Sequence, residues 1–192
     1  MLKPIKTLIM LFSGLVVSAC AFFEYSEMTT LFDGSDLQNL NQIGNATWTL
    51  TNGYVEGSDA AGFLVTQRPY EDFHLVVEFW TDVPANSGVF IRCQDSQSVT
   101  DTNCYEVNIF DTRPDQTYRT GGIVHIAAPA ATINAANQWN RFEITAQGSQ
   151  LTVNLNGVET VNVRDDQFDS GYIALQYGSG VVRFREASIR QL

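Results

Sequence analysis

From residue 73 onward, apolar and polar residues alternate with a period of two, and no stretch of useful length keeps the spacing of an amphipathic helix. The runs are FHLVVEFW (73–80), SGVFIR (87–92), YEVNIF (105–110), NRFEITAQ (140–147), QLTVNL (150–155), GYIALQY (171–177) and VVRFREASI (181–189). Successive side chains of a strand point to opposite faces, so each run buries one face. Their Val, Ile, Phe, Tyr and Thr content suits a pleated, half-buried surface. Turn chemistry separates them: Asn52-Gly53, Asn86-Ser87-Gly88, Gly148-Ser149, Asn156-Gly157 and Gly178-Ser179-Gly180. Asn-Gly accepts the positive φ angles of a tight primed turn, which makes QLTVNLNGVETVNV the clearest hairpin. Many short antiparallel strands predict an all-β sandwich.

The N-terminus reads differently. Lys3 and Lys6 precede an apolar run from Leu8 to Val17 that closes on small residues. This is the pattern of a secretory signal, shorter than the roughly 20 apolar residues of a membrane span. Val17-Ser18-Ala19-Cys20 resembles the bacterial lipobox, in which the cysteine is acylated and becomes the mature N-terminus. Residues 1–19 are therefore expected to be a signal peptide, 20–28 a lipidated cysteine and tether, and 29–192 one domain. No Asp follows Cys20 to resemble an inner-membrane retention signal, so the expected address is the outer membrane, facing the periplasm.

Removing Lys3 and Lys6 from the formal net charge of −10 leaves −12, and no Lys follows residue 6. Phosphate recognition draws on clustered Lys and Arg, so nucleic acid is not an expected partner, and the membrane is expected to be met only through the lipid. Once Cys20 is assigned to lipid, Cys93 and Cys104 remain as a pair flanking the polar stretch QDSQSVTDTN. In an oxidising compartment they predict a disulfide that staples this loop, worth about 3 kcal/mol on the chain-entropy account.

The order of the pieces LFDGSDLQNL (31–40), NGYVEG (52–57), NSGVFIRC (86–93), YEVNIFD (105–111), TGGIVHIAAPA (120–130) and GYIALQYGSGVVRFREASIRQL (171–192) resembles the 3-keto-disaccharide hydrolase domain family. The resemblance implies the concanavalin-like lectin/glucanase jelly roll and a hydrolase acting on glycosides, including those with a 3-keto sugar. Two departures stand near the implied site. The family's usual Gln in the YEVQI-like strand is Asn108 here, and its frequent His after LQ is replaced by Tyr177 and Gly178.

In YEVNIFD, alternation puts Tyr105, Val107 and Ile109 on one face, read as core, and Glu106, Asn108 and Phe110 on the other, which the resemblance implies is the concave, ligand-facing one. Glu106 is the expected catalytic acid or base, with Asn108 as a ligand contact. By the same parity Glu78 shares a face with Trp80, and Phe90 with Arg92. These four are candidate substrate contacts, Arg92 bridging Glu78 or Glu106. His125, after a Gly pair, is a second catalytic candidate at a cleft rim, whereas His74, at a strand start, reads as structural. No cofactor is called for; Asp111 and Asp115 are the carboxylates that a calcium ion would use.

Two alternatives, a laminarinase-type glycosidase and a serine hydrolase, fail on the residues. Retaining hydrolysis uses two carboxyl groups about 5 Å apart, and the central strand carries one. No G-x-S-x-G elbow exists for a serine hydrolase. The missing second carboxylate and the missing His also support a competing reading, a non-catalytic carbohydrate-binding or surface-interaction lipoprotein that stacks a sugar on Trp80 and Phe90.

Overall fold

A computed structural model describes residues 27–192. The signal peptide, Cys20 and most of the tether lie outside the described residues. Eleven strands run β1 (Thr29–Phe32), β2 (Leu40–Thr51), β3 (Tyr54–Thr66), β4 (Phe73–Thr81), β5 (Ser87–Cys93), β6 (Tyr105–Ile109), β7 (Trp139–Gln147), β8 (Gln150–Leu155), β9 (Val158–Arg164), β10 (Tyr172–Tyr177) and β11 (Val182–Gln191). A short 3₁₀ turn occupies Gln116–Tyr118. The seven alternating runs all become strands. Ser87 and Gly88, which the sequence placed both in a turn and at the head of the run SGVFIR, open β5.

All strand pairs are antiparallel, in the order β6-β5-β10-β3-β11-β4-β7-β8-β9, with β2 on β3 and β1 on β11. β3 pairs with β11 through residues 55–57 and with β10 through residues 62–65. The sheet thus turns over at β3, and its two halves close on one core. Val89, Ile91, Tyr105 and Val107 of one half share a buried cluster with Phe79, Phe142, Ile144 and Val153 of the other. This is the expected jelly-roll sandwich. A smaller apolar cluster of Val65, Phe90, Cys93, Val99, Cys104 and Ala174 lies across β5, β10 and β3 from that core.

The tight hairpins follow from their turn residues. Asn52 and Gly53 between β2 and β3, and Asn156 and Gly157 between β8 and β9, all have φ between 51° and 81°, where Asn and Gly are tolerated at little cost. β2 and β3 were the less legible strands: β2 carries few apolar residues and is mostly exposed, and β3 is interrupted by Gly57 and Gly62.

Candidate functional site

A cavity of about 520 Å³ opens on the outer side of the β6-β5-β10-β3 layer. β6 contributes Glu106, β5 Phe90, β10 Gln176 and β3 Phe63; the segment after β6 adds Phe110, Arg113, Pro114 and Asp115, and the loop between β5 and β6 adds Val99, Thr100 and Asp101. Phe63 and Phe90 meet edge to face, with ring centroids 5.4 Å apart. The volume and the mix of aromatic walls with a few polar groups suit a small-molecule ligand.

Glu106 is the buried carboxyl of this cavity. The parity of β6 is as read from the sequence: Tyr105, Val107 and Ile109 are in the core, and Glu106 and Phe110 line the cavity. Glu106 pairs with Phe90 in the β5–β6 ladder. A methyl group on neighbouring Gly88 would stand 3.2 Å from its Cγ and Oε1, so the missing side chain at Gly88 leaves the carboxyl its room. Glu106 is only 8% exposed, and no described residue donates a hydrogen bond to its carboxyl. Burial first, and the negative charge of Asp101 second, push its pKa up to about 7, against the pull of the Arg113 cation. Such a carboxyl exchanges protons near neutral pH.

The wall bearing Asp101 is pre-formed. Cys93 and Cys104 are disulfide-bonded across a separation of 11 residues, as expected. Within the closed loop, Asn103 Nδ2 donates to Ser98 O (2.7 Å), Thr100 N donates to Asn103 Oδ1 (2.9 Å), and Gln97 N donates to Asp95 Oδ1 (2.8 Å). His125, held at φ 66°, does not line the cavity; its Nε2 meets Asp101 Oδ2 from outside at 3.0 Å.

Other expected contacts lie elsewhere. Arg92 bridges neither Glu78 nor Glu106. Ile91 and Arg92 together oppose Ile173, a bulge between the pairs Phe90↔Ala174 and Tyr172↔Cys93, and Arg92 takes φ 52°. The bulge reverses the parity. Arg92 is fully buried instead, donating to Glu71 O, Gly148 O and Phe168 O and pairing with Asp72 at 3.0 Å. Asn108 is fully buried and does not line the cavity: its Nδ2 donates to Tyr118 O, and its backbone bonds to Gly121 and Gly122. Glu78 and Trp80 do share a face, on the outside of the β11-β4-β7 layer, and neither lines the cavity. There Glu78 pairs with Arg185 and Arg141, and Arg183 stacks 4.7 Å over Trp80. His74 hydrogen-bonds Thr145 Oγ1 at 3.0 Å.

Asp111 is already occupied. It accepts from Thr120 Oγ1, Ala135 N and Ala136 N, with Arg119 at 3.6 Å, which pins the segment after β6. Asp115 lines the cavity, but hydrogen bonds from the Thr117 side chain and backbone hold its pKa below the usual range. The two do not form a cation site, and among the described residues no group of three or more His, Cys, Asp or Glu is arranged to hold a metal. Sequence reasoning did not find Asp101, Arg113 or Gln176. Gln176 alone had a signal, as the polar residue on the wet face of GYIALQY.

No curated protein matches this sequence. Among solved structures, a candidate glycosyl hydrolase from Parabacteroides distasonis ATCC 8503 is 25% identical, with a TM-score of 0.73 over 86% of this chain and 100% of its own. A second candidate glycosyl hydrolase from that organism is 17% identical, with a TM-score of 0.77 over 86% and 94%. The carbohydrate-binding module CBM66 from Bacillus subtilis shares the fold at 16% identity, with a TM-score of 0.62 over 88% and 98%. The profile of the 3-keto-alpha-glucoside-1,2-lyase-like domain matches residues 27–190, and the chain belongs to that family.

Proposed function

We propose that this domain cleaves glycosides oxidised to a ketone at C3, with Glu106 as the acid–base residue. The observation that carries the reading is a carboxyl without a hydrogen-bond donor, with a pKa of about 7, buried in a sugar-sized cavity. Two further carboxylates face the same space, but Asp101 is engaged by His125 and Asp115 by Thr117. A two-carboxylate hydrolysis is thus poorly supplied, whereas elimination needs one base.

The C3 ketone acidifies the hydrogen on C2. The Glu106 carboxylate takes that proton, and the C–H electrons move into the C2–C3 bond to give an enolate. The enolate re-forms the ketone and a C1–C2 double bond, and the bond from C1 to the glycosidic oxygen breaks. Protonated Glu106 returns its proton to the departing oxygen. Water adding across the double bond then makes the overall outcome a hydrolysis, in line with the family's implied activity. An unoxidised glycoside lacks the acidic C2–H and is inert on this route.

The test is a panel of oxidised and unoxidised glycosides. Glu106→Gln should keep sugar binding and lose turnover of the 3-keto substrates by 10²–10⁴-fold. Undiminished turnover removes Glu106 from the chemistry. Absence of turnover from every glycoside, with binding that depends on Phe63 and Phe90, replaces catalysis with sugar binding as the role of the cavity.

The proposal includes the address: a lipoprotein acylated on Cys20 in the outer membrane, facing the periplasm. The lipobox and an oxidising compartment suited to the disulfide support it. Detergent-phase partitioning that survives in Cys20→Ala would overturn it.

A further inference from the structure

We infer that Arg113 is the electrophilic residue of this cavity, its guanidinium taking the C3 carbonyl oxygen of a neutral sugar and holding the negative charge that gathers there. The inference rests on the acid–base reading of Glu106 and adds the group that receives the electrons Glu106 sets moving. Arg113 and Glu106 line the same cavity. Among the nine arginines of the described residues, Arg113 alone has no hydrogen bond, ion pair or ring contact to its guanidinium. The others are engaged, as Arg92 and Arg119 illustrate. A guanidinium offers five donors, and leaving all of them without a protein partner beside a buried carboxyl is the arrangement of a ligand site.

The backbone at Arg113 is fixed although its head is free. Its N–H donates to Phe110 O at 3.4 Å, its carbonyl accepts from Gln116 Nε2, and Pro114 biases it toward extended backbone. The charge around it narrows the ligand class. Asp101, Glu106 and Asp115 line the cavity against one arginine, so a sugar bearing a fixed carboxylate or phosphate meets net repulsion. A neutral sugar whose charge appears only as the C2 proton leaves does not. A donor aimed at charge that develops during reaction stabilises the transition state more than the ground state.

The test uses the purified full-length protein with both anomers of p-nitrophenyl 3-keto-glucopyranoside, together with exchange of the C2 hydrogen of 3-keto-glucose in D2O followed by NMR. Arg113→Gln should lower kcat by roughly 10²–10³-fold, slow C2 exchange in parallel, and leave KM within a few-fold; Arg113→Lys should recover part of the loss. The charges acting on Glu106 are Asp101, which meets His125 on its far side, and Arg113, while Asp115 lines the same cavity. Removing the Arg113 cation should therefore move the acid limb of the kcat/KM profile to higher pH, a change that a purely structural role does not produce. A raised KM with kcat and C2 exchange intact makes Arg113 a mere binding contact and overturns the inference. Wild-type protein inert on both anomers, or Glu106→Gln as active as wild type, overturns the reading of Glu106 first. Wild-type turnover lost in Glu106→Gln but undiminished in Arg113→Gln overturns the assignment of Arg113 alone.

Discussion

Nε2 of His125 stands 3.0 Å from Oδ2 of Asp101, and Asp101 is the charge that, after burial, does most to hold a proton on Glu106. A half-exposed imidazole outside the cavity is thereby linked, through one carboxylate on a disulfide-closed loop, to the acid within it. The pKa of Glu106 is a property of this assembly rather than of its strand.

Asp101→Asn should lower the Glu106 pKa from about 7 toward the ordinary carboxylate value, because it removes a contribution that raises it. Burial remains, so the return is partial. The acid limb of the kcat/KM profile for a 3-keto-glycoside should move to lower pH. A limb that stays in place would show that the Asp101 charge does not reach Glu106.

Glu106 should also cost stability at neutral pH. Its folded-state pKa of about 7 lies above the ordinary 4.5, so between those values the folded chain holds a proton that the unfolded chain releases. The favourable contribution is complete below pH 4.5 and is lost as pH rises through 7. Glu106→Gln, which cannot ionise, should therefore be the more stable protein at pH 8, by at most about 3 kcal/mol, and gain little at pH 4. Urea unfolding at the two pH values measures this; a variant less stable than wild type at pH 8 contradicts it.

Arg92→Met should destabilise the fold by about 3 kcal/mol or more, because it takes the guanidinium donors from three backbone carbonyls and leaves the Asp72 carboxylate with only the Gly148 N–H and no cation. For a domain of this size the melting temperature should fall by roughly 6–12 °C. The residue does not line the cavity, so KM for a glycoside should be unchanged in the folded fraction. A large KM change with normal melting would return Arg92 to the ligand site.

The residues found from sequence and those missed divide along physical lines. Glu106 and Phe110 were legible because β6 is regular, and a period of two fixes their side once Tyr105, Val107 and Ile109 are known to be core. Arg92 was misplaced because one bulge residue inverts everything after it, and nothing in SGVFIRC marks the bulge. For Glu78 and Trp80 the outward parity was right, but outward has two meanings in a sheet folded over on itself, and they face the other layer's solvent. Asn108 was misplaced because strand parity does not see the backbone of Tyr118, Gly121 and Gly122 that bonds to it. Asp101, Arg113 and Asp115 sit on connections, where no periodicity exists to read.

β3 belongs to both halves of the sheet, pairing with β11 near its start and with β10 near its end. The strand thus acts as a hinge pin rather than a seam, and neither layer can come away without unzipping a strand that the other also needs. Val65 on β3 meets Ala174 on β10, partners far apart along the chain, so this half closes only when most of the polypeptide is present. A nascent or truncated chain lacking β10 and β11 would have β5 and β6 as an unmoored hairpin, with Glu106 in water and no cavity to raise its pKa.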